Sequence, residues 1–170
     1  MKHDRRIIIV GFMGCGKTTV AAALARQLGC RMIDLDSFIT KIEGRSPAEI
    51  IQQEGEDAFR AIETRALQNV FENSAARVIA LGGGAWSIEA NRALIAQHNC
   101  LSVWLDAPFD LCWRRIISSG NTIRPLAPDR ESTKNLYESR RRDYSLVQMR
   151  LAIDDGDRAE VLAQQILTQT

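Results

Sequence analysis

The 170-residue sequence predicts an α/β fold in which helices cover both faces of a parallel sheet. Short apolar runs rich in β-branched residues alternate with longer segments of helical periodicity, the pattern of strands that are each followed by a helix. The first apolar run, Ile7–Val10, leads directly into a glycine-rich loop of the form G-x-x-x-x-G-K-[ST], from Gly11 to Thr18. A loop of this form joins a strand to the helix behind it.

Five apolar runs are predicted as strands and seven periodic segments as helices. The predicted strands are residues 7–10, 32–33, 78–81, 101–105 and 151–153. The predicted helices are residues 17–28, 48–53, 56–71, 89–97, 110–117, 131–147 and 159–167. The first helix is alanine-rich, which favours helix formation. Two stretches interrupt the alternation: the loop 118–129, with its glycine and prolines, and a run of three glycines at 82–84. We expect a ligand near both, because ligands bind beyond the carboxyl ends of parallel strands.

Composition predicts one globular domain, residues 1–170, with 45% hydrophobic and 25% charged residues. A net charge of +1 gives no general attraction to nucleic acid or membranes. No signal peptide or membrane span is visible, so we expect a cytoplasmic protein. The four cysteines are widely spaced, which argues against a zinc site or a disulfide framework. Eighteen of the 22 basic residues are arginines, which suits an anionic substrate, although a general compositional bias accounts for the total more simply.

The glycine-rich loop predicts a polyphosphate site rather than a simple turn, because it has the required strand before it and helix after it. Its glycines let successive backbone N–H groups point into one nest, and the helix N-terminus adds positive charge. Lys17 should reach the β- and γ-phosphates, and the Thr18 hydroxyl a Mg²⁺ ion. Cys15 is expected to be a small filler. The predicted ATP-binding residues of this segment are Gly14, Cys15, Gly16, Lys17, Thr18 and Thr19.

Asp34 and Asp36 follow the second predicted strand. Side chains two residues apart in an extended segment project to the same side, so both carboxylates should face one site. One would hold the metal and the other would accept the proton of an acceptor alcohol. The alternative is that one of them, or Ser37, caps the helix that follows.

Arg60 lies four residues after Glu56 and three before Glu63 on a predicted helix. This spacing is typical of surface salt bridges, and composition alone favours that interpretation. The functional alternative is an arginine that Glu63 orients toward a substrate carboxylate, with Phe59 as an apolar wall.

Three further segments are candidates for ligand contacts. The glycines at 82–84 need room or unusual dihedral angles, which would allow a ligand to approach the main chain; a flexible turn is the alternative. Arg124 in the loop 118–129 could close over the triphosphate, or it is an ordinary exposed arginine. Of Arg140, Arg141 and Arg142, at most one should enter the site, because successive helical residues point about 100° apart.

In combination these segments resemble the shikimate kinase family. The shared motifs are GFMGCGKTT, the D-x-D of IDLDSFI, the G-E-x-x-F-R-x-x-E helix, the GGG strand end and N-T-x-R-P-L at 121–126. The resemblance implies a monomer with a P-loop kinase fold, whose five-stranded parallel sheet has the order 2-3-1-4-5. It also implies a substrate-binding helical region at about 37–63 and a lid at about 118–129. The implied reaction transfers the γ-phosphoryl of ATP to the 3-hydroxyl of shikimate, giving shikimate 3-phosphate and ADP. This step leads toward chorismate and the aromatic amino acids.

The resemblance also implies residue roles. Asp36 would contact the shikimate hydroxyls and act as the base, while Asp34 and Thr18 hold Mg²⁺. Lys17 and the lid arginine, Arg124, would act on the phosphates. The implied substrate-binding residues are Asp36, Phe59, Arg60, Glu63, Gly82, Gly83 and Arg140, with Glu63 orienting Arg60.

The sequence departs from the family pattern in its late helix, which lacks a proline before Tyr144. Arg140 matches the family's carboxylate-binding arginine best by spacing, with Arg141 and Arg142 as alternatives. Ile51 stands where the family often has an aromatic residue. A related small-molecule kinase such as a gluconokinase, which need not have the F-R-x-x-E and GGG motifs, is an alternative function. A catalytically silent binding protein is another, although the reactive residues it would have lost are present.

Overall fold

A five-stranded parallel sheet forms the centre of the computed structural model, which describes residues 5–120, 125–126 and 128–169. The strand order is β2-β3-β1-β4-β5, which confirms the predicted order. The strands are β1 Ile7–Val10, β2 Met32–Asp34, β3 Val78–Ala80, β4 Leu101–Asp106 and β5 Met149–Ala152.

Eight α-helices flank this sheet in the described part of the chain. They are α1 Lys17–Leu28, α2 Leu35–Glu43, α3 Pro47–Glu54, α4 Glu56–Asn73, α5 Glu89–Gln97, α6 Phe109–Ser118, α7 Arg130–Tyr144 and α8 Ala159–Thr168. A 3₁₀ helix, Ala85–Ser87, follows the glycine run. Helix α1 packs against β3 and α8, while α2 and α3 pack against α4. None of the described helices combines the length and apolar character needed to cross a membrane.

Strand β1 lies at the centre of the sheet and is buried along its whole length. Ile8 pairs with Ile79 of β3 on one side, and Ile9 pairs with Val103 of β4 on the other. A strand that is buried on both faces has a continuous apolar sequence, and this is why the sequence predicts β1 correctly. Because the strands are parallel, the residues that follow β1, β2 and β3 emerge at one edge of the sheet.

One helix was not predicted, two boundaries differ clearly from the predictions, and most of the others shift by one or two residues. Helix α2 has no counterpart among the seven predicted periodic segments; it is only nine residues long, and Leu35 and Ile39 are its buried residues. Strand β5 begins at Met149 rather than 151, because an edge strand alternates buried and exposed residues instead of forming an apolar run. Helix α7 ends at Tyr144 rather than 147, where Ser145 caps it.

Candidate active site

The phosphate-loop candidate after β1 can be built only with glycine at its critical positions. Gly14 and Gly16 have φ angles of 79° and 101°, in the left-handed region. A Cβ atom at Gly14 would lie 2.7 Å from the carbonyl oxygen of Cys112 on α6. The loop is therefore packed too closely against α6 for any larger residue. The Cys15 side chain is buried beneath it, and burial raises the pKa of its thiol, as expected for a filler rather than a reactive group.

Lys17, at the start of α1, turns its side chain back into the loop. Its Nζ donates hydrogen bonds to the carbonyl oxygens of Gly11 and Phe12, at 2.9 and 3.1 Å. The Cys15 amide donates to the same Phe12 oxygen at 3.2 Å. These bonds hold the ammonium group at the centre of the loop, directly beside the helix N-terminus. The loop thus presents concentrated positive charge to an anion.

Asp34 links the loop to the strand-to-helix turn after β2. Its Oδ2 accepts a hydrogen bond from the Thr18 hydroxyl at 2.5 Å, and its Oδ1 accepts one from the Ser37 amide at 3.0 Å. The second bond makes Asp34 the N-cap of α2. The sequence presents helix capping and a place beside the phosphate loop as alternatives. The Asp34 side chain does both.

The expectation that Asp34 and Asp36 lie on one extended segment is wrong, because α2 begins at Leu35 between them. Both nevertheless line the same pocket. Asp36 reaches it from the first turn of α2, and its Oδ1 lies only 2.6 Å from where a Cβ of Gly82 would be. A sharp turn from strand to helix thus brings the two carboxylates together.

The ion pair between Arg60 and Glu63 lies in the interior, so the surface interpretation is wrong for this pair. The Arg60 side chain is 14% exposed and that of Glu63 is 0% exposed, with 2.8 Å between the Arg60 Nη1 and Glu63 Oε2 atoms. Glu56, the second partner of Arg60 at 3.2 Å, is 47% exposed. Burial raises the pKa of Glu63 to about 7, against the opposing effect of Arg60. Phe59 is buried beside them, with the Arg60 guanidinium 5.1 Å from its ring centre.

The glycine run at 82–84 makes room for charged side chains. A Cβ at Gly82 would meet the carboxylates of Asp36 and Glu63, and one at Gly83 would lie 3.0 Å from Arg140 Nη1. One at Gly84 would overlap the Arg60 guanidinium. None of the three has a positive φ, so of the two predicted reasons for glycine, room or unusual dihedral angles, the structure shows the need for room. Without side chains in this run, the charged groups of helices α2, α4 and α7 can pack against the end of β3.

Of the three successive arginines on α7, Arg140 is the one that lines the pocket. It is 7% exposed, burial lowers the pKa of its guanidinium, and its Cζ lies 5.8 Å from the Phe12 ring centre. No ion pair within the described residues includes Arg140. Arg141 instead pairs with Asp106, and Arg142 is exposed. Arg140 is therefore a buried cation that lines the pocket and forms no ion pair with a described carboxylate.

These groups enclose a pocket of about 470 Å³ beside the phosphate loop. The predicted site residues that line it are Gly14, Lys17, Thr18, Asp34, Asp36, Phe59, Arg60, Glu63, Gly82, Gly83 and Arg140. Met13, Ile51, Pro125 and Leu126 add apolar wall. Cys15, Gly16 and Thr19 belong to the loop and the start of α1 but do not line the pocket. Arg124 and part of the predicted lid, 118–129, lie outside the described residues.

Arg115 on α6 contacts the loop without having been predicted to do so. Its Nη1 donates to the carbonyl oxygens of Gly14 and Cys15, at 3.3 and 3.4 Å. The two partners are about a hundred residues away in sequence. No local spacing could have indicated the contact.

A phosphate loop on a parallel sheet, with a charged pocket of small-molecule size beside it, defines the chain as a P-loop kinase that acts on a small molecule. The family model described as shikimate kinase matches residues 13–170. The chain belongs to the shikimate kinase family.

Individual relatives agree with this assignment. The chain is 40% identical over 164 residues to a shikimate kinase of Streptomyces avermitilis, an alignment covering 95% of this chain and 93% of the relative. The solved structure of a shikimate kinase from Acinetobacter baumannii in complex with shikimate superposes with a TM-score of 0.87 at 32% identity, covering 97% and 92% of the two chains. A gluconokinase from Sinorhizobium meliloti, 17% identical with a TM-score of 0.65 over 98% and 91% of the chains, shares the fold alone.

Proposed function

We propose that the protein transfers the γ-phosphoryl group of ATP to the 3-hydroxyl of shikimate, giving shikimate 3-phosphate and ADP. One observation carries the proposal: Arg60 and Arg140 converge on the pocket that also contains Asp36, directly beside the phosphate loop. Shikimate is a small polyol with one carboxylate, so it needs cationic groups at one end and hydrogen-bond acceptors at the other. Family membership and the similarity to a shikimate complex support the same substrate.

On the substrate side, the two arginines would bind the carboxylate. Glu63 already holds Arg60 at 2.8 Å, which limits the entropy that Arg60 loses when substrate binds. Arg140 has no carboxylate partner among the described residues and gains one when substrate enters. This fixes the ring with its hydroxyls toward Asp36, which would accept a hydrogen bond from the acceptor hydroxyl and then its proton.

On the nucleotide side, the loop amides and Lys17 would hold the β- and γ-phosphates and bring the γ-phosphorus into line with the acceptor oxygen. Phosphoryl transfer depends mainly on positioning and on neutralising charge. The Lys17 ammonium, which is held by Gly11 and Phe12 oxygens, can exchange those bonds for phosphate oxygens without leaving the loop. Arg124 would add a further cation.

The oxygen donors at the loop suit Mg²⁺. The Thr18 hydroxyl and the Asp34 carboxylate lie 2.5 Å apart at the mouth of the loop, and Mg²⁺ prefers oxygen ligands, completed by phosphates and water. No cluster of three or more metal-binding side chains occurs in the described ranges, which suits an ion that arrives with the nucleotide. Thr18 and Asp34 would therefore hold it. When bound, the ion neutralises charge on the β- and γ-phosphates.

We also propose that the protein is a single domain that acts as a monomer in the cytoplasm. All the side chains assigned to catalysis and binding come from one chain, and ATP is the phosphoryl donor. Sedimentation of the purified protein at assay concentration measures its oligomeric state.

The test is ADP release from ATP and Mg²⁺ in three parallel assays, with shikimate, with gluconate and with no acceptor. We expect stimulation by shikimate alone, and ³¹P and ¹H NMR of the product should place the phosphate on the 3-hydroxyl. Lys17→Met is the control, and its loss of activity assigns the rate to this protein. Stimulation by gluconate, or by neither acceptor while ATP still binds, would refute the proposal.

A further inference from the structure

Asp106 is a buried carboxylate at the carboxyl end of β4 that binds arginines from two different elements. Its Oδ1 lies 2.5 Å from the Nη1 of Arg141 on α7. Its Oδ2 lies 2.7 Å from the Nε and 2.5 Å from the Nη2 of Arg150 on β5. None of the three residues lines the substrate pocket. Substrate binding therefore does not explain why an acid is buried here, and burial of a carboxylate is costly unless its pairing is good.

Arg141 is adjacent in sequence to Arg140, the cation that lines the pocket. Neighbouring residues on a helix point about 100° apart, so the direction of one determines that of the other. An ion pair between Arg141 and the end of β4 consequently sets the rotation of α7 about its axis. That rotation directs Arg140 between Phe12 and the glycine run.

A second path of contacts joins the same residues through side chains. Arg141 Nη1 donates to the Tyr137 hydroxyl at 2.8 Å, and that hydroxyl donates to the Ala107 carbonyl oxygen at 2.9 Å. The Tyr137 ring meets the Phe12 ring edge to face, with 5.2 Å between their centres. Phe12 is the ring beneath Arg140. Arg141 thus supports Arg140 both through the helix backbone and through the surface on which Arg140 rests.

We propose that Asp106 and Arg141 are positioning residues that hold Arg140 in its orientation for binding the substrate carboxylate. This inference rests on the proposed role of Arg140. The C-terminal end of α7 has its own contacts with the rest of the fold. The Tyr144 hydroxyl donates to the Gly83 carbonyl oxygen, and the Trp86 indole N–H donates to the Asp143 carbonyl oxygen. Loss of the Arg141 contact would therefore leave the helix attached but less well defined in rotation.

Arg150 provides a matched control. Arg141→Gln and Arg150→Gln each remove one cation from the same carboxylate, and each leaves the other in place, so Asp106 stays paired in both variants. Only Arg141 belongs to the helix that carries Arg140. A role confined to stabilising the fold would lower the unfolding temperature without raising the shikimate KM, whereas a positioning role raises that KM in Arg141→Gln alone.

The experiment measures the KM for shikimate, the KM for ATP, kcat and the unfolding temperature for both variants. For Arg141→Gln we expect the shikimate KM to rise about threefold to twentyfold, which lies within the range for residues that act on a ligand through others. Its kcat and ATP KM should stay within about twofold of the parent, as should all three constants of Arg150→Gln. In an Arg140→Met background, Arg141→Gln should add no further increase, because its effect passes through Arg140.

Equal shikimate KM values in the two variants, or a joint rise of both KM values in Arg141→Gln, would overturn the inference. An additive effect in the Arg140→Met background would also overturn it. Should Arg141→Gln not fold, Arg141→Lys takes its place in the same comparison, since it keeps the charge without the two-nitrogen contact. Lack of shikimate-dependent activity in the parent protein is a different result, because it refutes the proposed function itself.

Discussion

Replacing Arg140 by methionine tests the substrate side of the proposal most directly. The substitution removes one of the two guanidinium groups that line the pocket and fills most of the same space with an apolar chain. Hydrogen bonds to charged groups are worth about 1.5 to 3 kcal/mol each. Loss of about 2 to 3 kcal/mol of shikimate binding corresponds to a rise in the shikimate KM of roughly 30- to 150-fold.

The same structure predicts little loss of stability. Arg140 forms no ion pair with any described carboxylate, so the substitution leaves no buried acid without a partner. Burial already lowers the pKa of Arg140, which indicates that the fold gains little from its charge. Arg60→Met should differ, because it leaves the fully buried Glu63 unpaired, a loss of about 3 to 5 kcal/mol.

Steady-state kinetics with each substrate varied in turn, together with urea unfolding, measure both effects. Arg142→Met is the matched control, since Arg142 is exposed on the same helix and should leave every constant within about twofold. A shikimate KM within twofold of the parent in Arg140→Met would refute the reasoning. An equal rise in the ATP KM, or a larger effect in Arg142→Met, would refute it as well.

Three further predictions concern the carboxylates and the glycine run. Asp36→Asn should lower kcat by at least about 100-fold and leave the ATP Kd within about twofold, which calorimetry can measure; a normal rate would exclude Asp36 as the base. The folded-state pKa of Glu63 is raised to about 7 from a usual value of about 4.5. Between these two pH values the folded protein therefore keeps a proton on Glu63 that the unfolded protein has lost. Its contribution to the free energy of unfolding should be present below about pH 4.5 and be lost by about pH 7, by up to about 3 kcal/mol. The difference between the parent and Glu63→Gln across this range isolates it, and parallel pH profiles would contradict the burial argument. Gly82→Ala should lower kcat/KM by at least about tenfold, since its Cβ would lie 2.6 Å from the Asp36 carboxylate, whereas Gly156→Ala, with open space around it, should be silent. Equal activity of the two alanine variants would show that Asp36 can move without consequence.

Local geometry explains what could be predicted from the sequence. The phosphate loop, the first strand and the first helix depend on residues that are neighbours along the chain, so their pattern identifies them without tertiary information. The i,i+3 spacing of Arg60 and Glu63 indicates an ion pair for the same reason, and the structure contains it at 2.8 Å. The helical angle between successive residues likewise predicts that only one of the three arginines on α7 can enter the site.

Burial, and the choice among equivalent residues, depend on contacts between distant parts of the chain. Glu63 has the spacing of a surface residue, yet it is fully buried, and the glycine run that follows β3 packs against it. The choice of Arg140 rather than Arg141 follows from Asp106, 35 residues before Arg141, and from the bond between Tyr144 and Gly83, 61 residues apart. Short-range patterns set the chemistry that each segment offers, and long-range packing decides which of those groups leave water and converge on one pocket.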